Sequence, residues 1–328
     1  MLVTGGTGFL GAYIIRQLVL EGYQVRALRR SQQLPFFIPE PVLEKVQWIK
    51  GDILDIVSLE EAMEGMDAVI HAAAKLSFES RDRDEMFQTN VEGTGNVVNT
   101  ALALNLKRLI HISSVAALGR TDAGDTVDEG EQWKESKFNT NYATSKYQAE
   151  MEVWRAIAEG LECVIVNPST VIGYGDWNHS SCSIFKTVYE GLPWYTNGVN
   201  GFVDVEDIAK AVVLLLPSEI SGERFVLSGE NWIFRRLFDK IADGFHKKHP
   251  SREATPILAA IAWRMEKIKS VFVGKPSILT RESAKISQTK TYFDNNKIKK
   301  YLPLFSFTPL EQTIGQACER YLQYVNNS

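Results

Sequence analysis

The sequence predicts an α/β fold in which a doubly wound parallel sheet carries helices on both faces. A glycine-rich turn stands between an apolar triplet and an amphipathic stretch near residue 1. Short apolar runs then alternate with helical stretches through residues 1–170, and no internal repeat interrupts them. Strands that alternate with helices are typical of parallel sheets whose connections cross over through helices.

The individual elements follow from this pattern in order. Residues 1–4 predict a short buried strand, and residues 9–21 place apolar side chains close to helical spacing, with Gly22 ending that helix. Further strands are predicted at residues 23–29, 46–49, 68–71, 109–112 and 163–167. Helices are predicted between them at residues 59–63, 84–104 and 142–159.

The regular alternation weakens after Pro168. The stretches GYGDWNHSS and EGLPWYTNGVNG have the composition of irregular loops. A strand and a helix return at residues 202–216, and a strand follows at residues 224–227. From residue 232 the chain is expected to be mostly helical, with a final helix at residues 310–324.

This organisation predicts two units folded against each other, with the substrate in the cleft between them. The sheet domain is assigned to residues 1–170 and 202–228. A smaller, mainly helical substrate-binding lobe is assigned to residues 171–201 and 229–328.

Composition and charge narrow the classes of function. Of 328 residues, 45% are hydrophobic and 23% charged; the net charge is -4 and the basic residues are dispersed, so we expect no nucleic-acid partner. Three widely separated cysteines fit neither a disulfide framework nor a zinc site and favour a reducing, cytoplasmic setting.

No apolar run approaches the length of a membrane span. Residues 256–263, PILAAIAW, are too short to cross a bilayer; they are interpreted as a buried helix, with a membrane-surface helix as the alternative. Because the glycine turn begins at residue 4, we also expect no targeting peptide before it.

The turn itself reads TGGTGFLG, residues 4–11. A strand, a glycine turn and a helix in succession bring free backbone N–H groups and the positive end of the helix dipole to one point, which attracts phosphate. Gly5 allows the tight turn, Gly8 lets a pyrophosphate approach the backbone, and Gly11 lets the helix pack on its strand. The alternative is a tight turn with no ligand, because a glycine triplet is weak evidence by itself.

Two arginines follow at the position where a dinucleotide fold places an acidic residue on the adenosine ribose. Arg29 and Arg30 stand just there, beginning eighteen residues beyond Gly11. Arginines can pair with a 2′-phosphate, whereas an acidic side chain would accept from a free 2′-hydroxyl. The sequence therefore favours NADP over NAD, the alternative being that both arginines are merely solvated.

The segment YATSK places Tyr142 and Lys146 four residues apart, on one face of a predicted helix. Moving a tyrosine pKa from about 10 to about 7 needs roughly 4 kcal/mol. One ammonium at about 4 Å supplies about that much at an effective dielectric constant near 20. The pair is therefore sufficient to make a proton donor for a carbonyl, although a surface pair at this spacing is also common.

Two serines end the predicted strand before this helix, in HISSVAALG. Catalytic groups cluster at the carboxyl ends of strands in open α/β sheets, so a hydroxyl from Ser113 or Ser114 could polarise the carbonyl that Tyr142 protonates. Capping of the following turn is expected for the serine that is not catalytic.

Seven segments, in this order, resemble the extended short-chain dehydrogenase/reductase family over about residues 1–230: TGGTGFLG, GDILD, HAAA, NVEGT, HISS, YATSK and NPSTVIG. The resemblance implies a Rossmann fold with Ser114, Tyr142 and Lys146 as the catalytic triad. Ser114 is chosen over Ser113 because it stands five residues before Gly119, as the family's serine does.

The resemblance also implies the cofactor contacts. Thr7, Phe9 and Leu10 join the three glycines of the turn, and Asp52 and Ile53 touch the adenine. Ala72, Ala73 and Ala74 line the groove, and Lys146 also holds the nicotinamide ribose. The nicotinamide itself is flanked by Pro168, Ser169, Thr170 and Val171.

Within the family, two branches lack support. Dehydratases of sugar nucleotides usually carry Thr-Asp-Glu where this chain has Ser114-Val115-Ala116. Nucleotide-sugar epimerases commonly place an arginine just before a segment like FVDVEDIA, where this chain has Asn200-Gly201. The chain is more similar to the dihydroflavonol reductase and hydroxysteroid dehydrogenase branch, through VRALRR, HAAAKLSFES and the segment at residues 263–269.

The expected function is an NADP-preferring oxidoreductase that interconverts a ketone or aldehyde and an alcohol on a mainly apolar small molecule. An NAD-dependent sugar epimerase and a non-catalytic NADP-binding sensor or scaffold are the alternatives. The resemblance suggests a homodimer formed through the helices at residues 84–104 and 142–159. No metal is expected, because His246 and His249 lack ligand partners in sequence.

Two features of the second half of the chain have both a functional and a structural interpretation. His179 could contact substrate. The aromatic residues between Gly175 and Gly198 could form an apolar wall for a bulky substrate or simply pack the core; they are Trp177, Phe185, Tyr189, Trp194 and Tyr195.

Overall fold

The computed structural model of the chain describes residues 1–119, 126–135, 139–255, 258 and 286–326. The strands are β1 Leu2–Thr4, β2 Val25–Arg29, β3 Val46–Lys50, β4 Ala68–His71, β5 Arg108–Ile112, β6 Thr126–Val127, β7 Glu162–Pro168, β8 Thr170–Ile172, β9 Trp194–Tyr195, β10 Val199–Asp204, β11 Glu223–Leu227, β12 Glu230–Ile233, β13 Arg252–Glu253 and β14 Tyr292–Phe293. The helices are α1 Phe9–Leu20, α2 Glu40–Leu43, α3 Ile56–Met63, α4 Arg83–Phe87, α5 Gly93–Ala103, α6 Asn141–Ala158, α7 Ser183–Tyr189, α8 Val205–Leu215, α9 Phe234–Gly244, α10 Asn296–Tyr301 and α11 Leu310–Asn326.

The central sheet has seven parallel strands in the order β11-β7-β5-β4-β1-β2-β3. The strands predicted within residues 1–170 and at residues 224–227 are all present in it, whereas the strand predicted at residue 202 is β10 of a separate three-stranded sheet. β1 lies between β2 and β4, so the direction in which the chain winds across the sheet reverses beside β1. A crevice opens at such a reversal, outside the carboxyl ends of the strands.

Alternating strand residues supply the cores on both faces of the sheet. Val3 and Ile110 pack in the core that includes α1 and α8, whereas Leu2 and Leu109 pack in the core that includes α3, α5 and α6. Because successive side chains of a strand point to opposite faces, strands buried on both faces read as continuous apolar runs. The doubly wound Rossmann-like fold predicted from these runs is confirmed.

The helix predicted at residues 84–104 is interrupted by a turn of π-helix. α4 leads into this turn at Gln88–Glu92, and α5 continues from it. The wider turn carries Asn90, whose Oδ1 accepts from the Lys75 backbone N–H at 2.7 Å. Its Nδ2 donates to the Lys75 carbonyl and to the Ser145 Oγ, both at 2.9 Å. Asn90 thereby fixes the loop after β4 against α6.

The chain after Pro168 contains short strands that the sequence did not predict. β8 pairs in parallel with β10, and β12 pairs antiparallel with β10. β9 and β13 form a two-stranded ribbon. The expectation of an irregular loop is therefore wrong at residues 194–195 and 199–201, since such short strands depend on a distant partner for their hydrogen bonds. From residue 232 the described elements are mostly helical, as expected, with only short strands between the helices.

Most of the aromatic residues between Gly175 and Gly198 pack the core of this part of the chain. Phe185 is fully buried, and Trp177 stacks on Tyr321 of α11 with centroids 5.1 Å apart. Tyr189 meets Phe245 edge to face at 5.2 Å. Core packing thus accounts for these three side chains, while Trp194 is 39% exposed.

Helix α11 joins this part of the chain to the beginning of the sequence. Arg320 donates from Nη1 to the Tyr13 hydroxyl and from Nη2 to the Phe37 carbonyl, both at 3.1 Å. The buried Tyr321 hydroxyl accepts from the Gly175 N–H at 3.0 Å and donates to the Gly173 carbonyl at 3.4 Å. The segment that follows β8 is therefore held by α11.

The predicted buried helix at residues 256–263 and the family-like segment at residues 263–269 fall largely outside the described residues. Within the ranges that the structure describes, no helix combines the length and apolar character that crossing a bilayer requires.

Cys163, Cys182 and Cys318 are buried free thiols, and burial raises the pKa of each to about 12.

We expect Tyr321→Phe to lower the free energy of unfolding by about 1–3 kcal/mol, because it leaves the buried Gly175 N–H without its acceptor. Urea unfolding followed by circular dichroism measures this change. Unchanged stability would show that the aromatic packing of residue 321, rather than its hydroxyl, holds the segment.

Candidate active site

The glycine turn packs as the sequence predicts. Gly5 has φ +71°, and a Cβ on it would lie 2.5 Å from the Ala73 nitrogen. A Cβ on Gly11 would lie 2.2 Å from the Gly5 carbonyl oxygen. Both contacts are with backbone atoms, so these two positions accept only glycine without rearrangement.

Gly8 is less closely packed than Gly5 and Gly11, because the space beside its Cα is open. It is exposed at the tip of the turn, and among the described residues a Cβ there would meet only the Gly5 carbonyl oxygen, at 3.2 Å. Gly8 is also the N-cap of α1, whose first turn has neither a side-chain cap nor an acidic residue. Open space beside an uncapped helix N-terminus fits a pyrophosphate group.

The adjoining strand brings the three alanines to this turn. The Ala72 N–H donates to the Thr4 carbonyl at 3.2 Å, and the Ala73 N–H donates to the Thr4 Oγ1 at 3.3 Å. Ala74 is exposed beyond them. Ala72 and Ala73 therefore lie against the glycine turn, where the prediction placed the groove.

The expected adenine contacts lie at the end of β3. Asp52 accepts from the Leu54 N–H at 3.0 Å, so its carboxylate shapes its own loop. Ile53 is 5% exposed and packs against α5, where a Cβ on Gly93 would lie 2.5 Å from its Cδ1. Ile53 thus forms part of the floor of this loop rather than an exposed wall.

Arg29 and Arg30 end β2 in different surroundings. Arg29 donates from Nη1 to the Gln32 carbonyl at 3.2 Å, and its guanidinium lies 6.0 Å from the centre of the Trp48 ring. It lines a pocket of about 950 Å³ that Arg320 and Tyr324 of α11 also border. Arg30 is exposed. Arg30 is therefore the freer of the two for a phosphate.

Ser114, rather than Ser113, caps the turn that follows β5. Ser114, half-buried, begins the 3₁₀ turn Val115–Leu118, and its Oγ accepts from the Ala116 N–H at 3.2 Å. The Ser113 hydroxyl is buried without a hydrogen-bond partner in the described structure. The turn is therefore capped by Ser114, the serine that the resemblance assigns to catalysis, and accepting one hydrogen bond leaves the Ser114 O–H able to donate.

Tyr142 lies in the first turn of α6. Thr140 caps this helix by accepting from the Ala143 N–H at 3.0 Å. The Tyr142 ring meets Phe78 edge to face with centroids 6.2 Å apart, and Ser114 lies close enough to the Tyr142 hydroxyl to lower its pKa. The structure therefore brings the predicted tyrosine and serine together at the carboxyl end of β5.

Lys146 is buried one turn further along α6. Its Nζ donates to the Ile112 carbonyl at 2.9 Å, at the last residue of β5. Burial lowers the pKa of Lys146 to about 8, and the nearby Glu150 carboxylate opposes this change. The lysine is thus poised between its charged and neutral forms near physiological pH.

The expected lowering of the Tyr142 pKa is absent from this structure. Burial raises the pKa of Tyr142, and the nearby Ser114 side chain opposes the rise. Lys146 does not counter this effect, since its ammonium is directed to the Ile112 carbonyl. In this arrangement Tyr142 is a protonated phenol at neutral pH, as a proton donor must be.

The residues expected beside the nicotinamide lie at the end of β7 and the start of β8. Pro168 and Ser169 are buried, and the Ser169 Oγ is without a hydrogen-bond partner in the ranges described. Thr170 accepts from the Asn200 Nδ2 at 2.8 Å, and Val171 is half-buried. An unpartnered buried hydroxyl at this edge fits a site that receives a polar ligand.

Sequence reasoning missed several polar residues behind the site. His71 bonds through Nδ1 to the Thr4 Oγ1 at 2.7 Å and through Nε2 to the Thr94 Oγ1 at 2.9 Å, and burial lowers its pKa to about 3. Asn167 donates to Glu150 and to the Ser114 carbonyl. Glu150 could have been found, because it follows Lys146 at the same four-residue spacing as Lys146 follows Tyr142.

The other histidines singled out in the sequence lie on the surface of the lobe. His179 is exposed, and its Nε2 lies 3.6 Å from an Asp176 carboxylate oxygen. His249 bonds to Asp243 at 2.6 Å, which raises the pKa of His249. The structure places neither of them beside Tyr142.

Comparison with known families identifies the class of protein. The family model described as NAD dependent epimerase/dehydratase family matches residues 1–228. The chain belongs to this family, which comprises enzymes of the extended short-chain dehydrogenase/reductase type.

Curated relatives include several reductases. A protein called putative dihydroflavonol 4-reductase, from Synechocystis sp., is 32% identical over 310 residues, covering 92% of this chain and 89% of the relative. Cinnamoyl-CoA reductase 1 from Petunia hybrida is 31% identical over 262 residues, covering 76% of this chain and 78% of the relative.

Solved structures share the fold over nearly the whole chain. The crystal structure of gox2253 has a TM-score of 0.82 at 29% identity and covers 98% of each chain. The UDP-glucose 4-epimerase from Thermotoga maritima, with UDP-glucose, has a TM-score of 0.79 at 19% identity and covers 99% of each chain.

We expect Gly11→Ala to destabilise the protein by about 1–3 kcal/mol, because its Cβ would overlap the Gly5 carbonyl oxygen. Thermal unfolding measures the effect. Gly315→Ala is the matched control: Gly315 is exposed in α11 with open space around it, and alanine there should stabilise by up to about 1 kcal/mol. A Gly11→Ala protein as stable as the wild type would contradict the tight turn.

Proposed function

We propose that this protein is an NADP-preferring oxidoreductase that interconverts a ketone or aldehyde and an alcohol on a mainly apolar small molecule. One observation carries the proposal: the Tyr142 and Ser114 side chains lie together at the carboxyl end of β5, with buried Lys146 behind them. Two neighbouring hydroxyls can bind one carbonyl oxygen.

Each residue has a distinct role in the reduction direction. Ser114 donates to the carbonyl oxygen, and its Oγ is oriented for this by the Ala116 N–H. Tyr142 gives its proton to the same oxygen as the alcohol forms. Lys146 lies one helical turn from Tyr142, and its charge would stabilise the phenolate left behind once the ammonium turns from the Ile112 carbonyl toward Tyr142. Hydride transfer is the chemistry that a bound nicotinamide supplies.

The residues that would hold the cofactor line the same edge of the sheet. Gly5, Gly8 and Gly11 with Thr7, Phe9 and Leu10 would hold the pyrophosphate, and Asp52 and Ile53 the adenine. Ala72, Ala73 and Ala74 would line the groove. Pro168, Ser169, Thr170 and Val171 would flank the nicotinamide, and Lys146 would hold its ribose. The open side of Gly8 and the unpartnered Ser169 hydroxyl support this assignment.

An apolar substrate is favoured over a nucleotide sugar at Asn200 and Gly201. A Cβ on Gly201 would lie 2.3 Å from the Ser228 Oγ, and the Asn200 amide is engaged by Thr170. Neither position carries the arginine that would bind a diphosphate. The reductase names among the relatives at about 30% identity support the same class of reaction.

We expect Tyr142→Phe to lower kcat by about 10²- to 10⁴-fold, because it removes the proton donor. Reduction of hydrophobic aldehydes and ketones, followed by loss of NADPH absorbance, measures the rate, and fluorescence titration measures cofactor affinity, which should be retained. Tyr147→Phe, on the same helix and stacked on Trp133, is the control and should keep its turnover. Near-normal turnover of Tyr142→Phe would remove Tyr142 from the mechanism.

We expect a variant with glutamine at positions 29 and 30 to lose roughly 10- to 100-fold in NADP affinity, since a hydrogen bond to a charged group contributes about 1.5–3 kcal/mol. NAD affinity should change much less. The single variants Arg29→Gln and Arg30→Gln show how much of the loss comes from each arginine. Arg252→Gln on β13 is the control for the effect of removing one positive charge on NADP affinity. Equal losses of NADP and NAD affinity would refute a 2′-phosphate contact.

The epimerase alternative is distinguished by the cofactor that the purified protein carries. A reductase must release its cofactor in each cycle, whereas an epimerase keeps it. Acid extraction followed by chromatography should release no stoichiometric nicotinamide dinucleotide from the freshly purified protein.

A further inference from the structure

A buried carboxylate lies behind the candidate active site. Glu150 is fully buried on α6, four residues beyond Lys146 and therefore on the same face of the helix. Carboxylates are rarely buried unless they are paired, since removing the charge from water costs several kcal/mol. Its position requires an explanation beyond helix formation.

Two partners hold this carboxylate from neighbouring strands. Asn167 of β7 donates from Nδ2 to the Glu150 Oε1 at 2.5 Å and to the Ser114 carbonyl at 3.0 Å. Arg224 of β11 lies 3.5 Å from the other oxygen, Oε2. The same guanidinium donates to the Glu129 and Glu131 carbonyls at 2.7–2.9 Å, so it is shared with the backbone. The arginine therefore neutralises Glu150 only in part.

Lys146 is the other buried charge beside Glu150. It is 2% exposed, and among the described residues its Nζ has one neutral acceptor, the Ile112 carbonyl. One carbonyl does not replace the water that a buried ammonium loses. Since the proposed reaction needs this lysine charged, a nearby negative charge has a direct use.

We propose that Glu150 is a positioning residue that keeps Lys146 in its ammonium form within the buried site, with Asn167 and Arg224 holding the carboxylate in place. The proposal concerns the charge of Lys146, and its catalytic meaning rests on the proposed function. Glu150 touches neither the substrate site nor the hydroxyls of Tyr142 and Ser114; it acts through Lys146.

The other titratable groups around Lys146 do not supply this charge. On its own helix there is Tyr142, a neutral phenol whose pKa burial raises. From β4 and β5, His71 and His111 face Lys146, and burial together with the Lys146 charge holds both histidines neutral by lowering the pKa of each. Among the described residues, Glu150 is the negative charge that raises the pKa of Lys146.

The test is Glu150→Gln, which keeps the shape of the side chain and an oxygen that Asn167 can bond. The full-length protein is labelled with ¹³C at the lysine Cε, and the Lys146 signal is assigned by its loss in Lys146→Met. We expect the Lys146 titration midpoint to move from about 8 to lower pH by about one unit or more, a tenfold loss of proton affinity. The high-pH limb of kcat/KM for carbonyl reduction should move in the same direction.

Asp207→Asn is the matched control. Asp207 is a fully buried carboxylate on α8 that accepts from Thr308, far in sequence from α6. Its loss should cost stability without moving the Lys146 titration. Should Glu150→Gln fail to fold, Glu150→Asp, which withdraws the charge by one methylene, should still lower the midpoint.

An unchanged Lys146 titration in a folded Glu150 variant would overturn the proposal and leave Glu150 as a structural partner of Arg224. The titration needs no substrate or cofactor. A lowered midpoint in a protein without reductase activity would therefore uphold the link between Glu150 and Lys146 while the proposed function fails.

Discussion

The buried contact between the Lys146 ammonium and the Ile112 carbonyl is the constraint around which the candidate site is built. Ile112 ends β5, Ser114 follows two residues later, and Lys146 joins this strand end to α6 at a distance of 2.9 Å. Because the helix is fixed there, Tyr142 in its first turn lies beside Ser114. One charged hydrogen bond thus sets the position of the proton donor relative to the carbonyl-binding serine.

The parallel sheet explains why residues so distant in sequence meet. In a parallel sheet every strand ends at the same edge, so the loops after β1, β3, β4, β5 and β7 open side by side. Asn90, Asn167 and Glu150 lie beneath this edge and tie the loops to α6. The hydrophobic layers on both faces supply stability, whereas these polar ties supply the geometry.

Much of this arrangement could be predicted from the sequence, because the strongest signals come from burial on both faces. Residues such as Leu109 and Ile110 make β5 a continuous apolar run, and the glycine spacing marks the turn before α1. β8 and β12 were not predictable, because their three or four residues carry no pattern of their own and exist only through pairing with β10. Whether such short segments form strands depends on the strand with which they pair in the folded protein.

The chemistry of the site was less predictable than its location. A four-residue spacing places Tyr142 and Lys146 on one face of α6 but says nothing about what surrounds them. Burial raises one pKa and lowers the other, which only the packed structure reveals. In the same way, which of two adjacent serines caps the next turn depends on backbone direction at Ser114, not on composition.

The contact of Arg320 with Tyr13 and Phe37 has a consequence for biosynthesis. Tyr13 and Arg320 are 307 positions apart, so a ribosome has translated almost every described element before the hydrogen bond between them can form. Domains fold as units while the chain emerges, and the sheet strands up to β7 are available early. Until α11 has been synthesised, it cannot cover the Phe37 side of α1, and chaperones have access to that apolar surface during this interval.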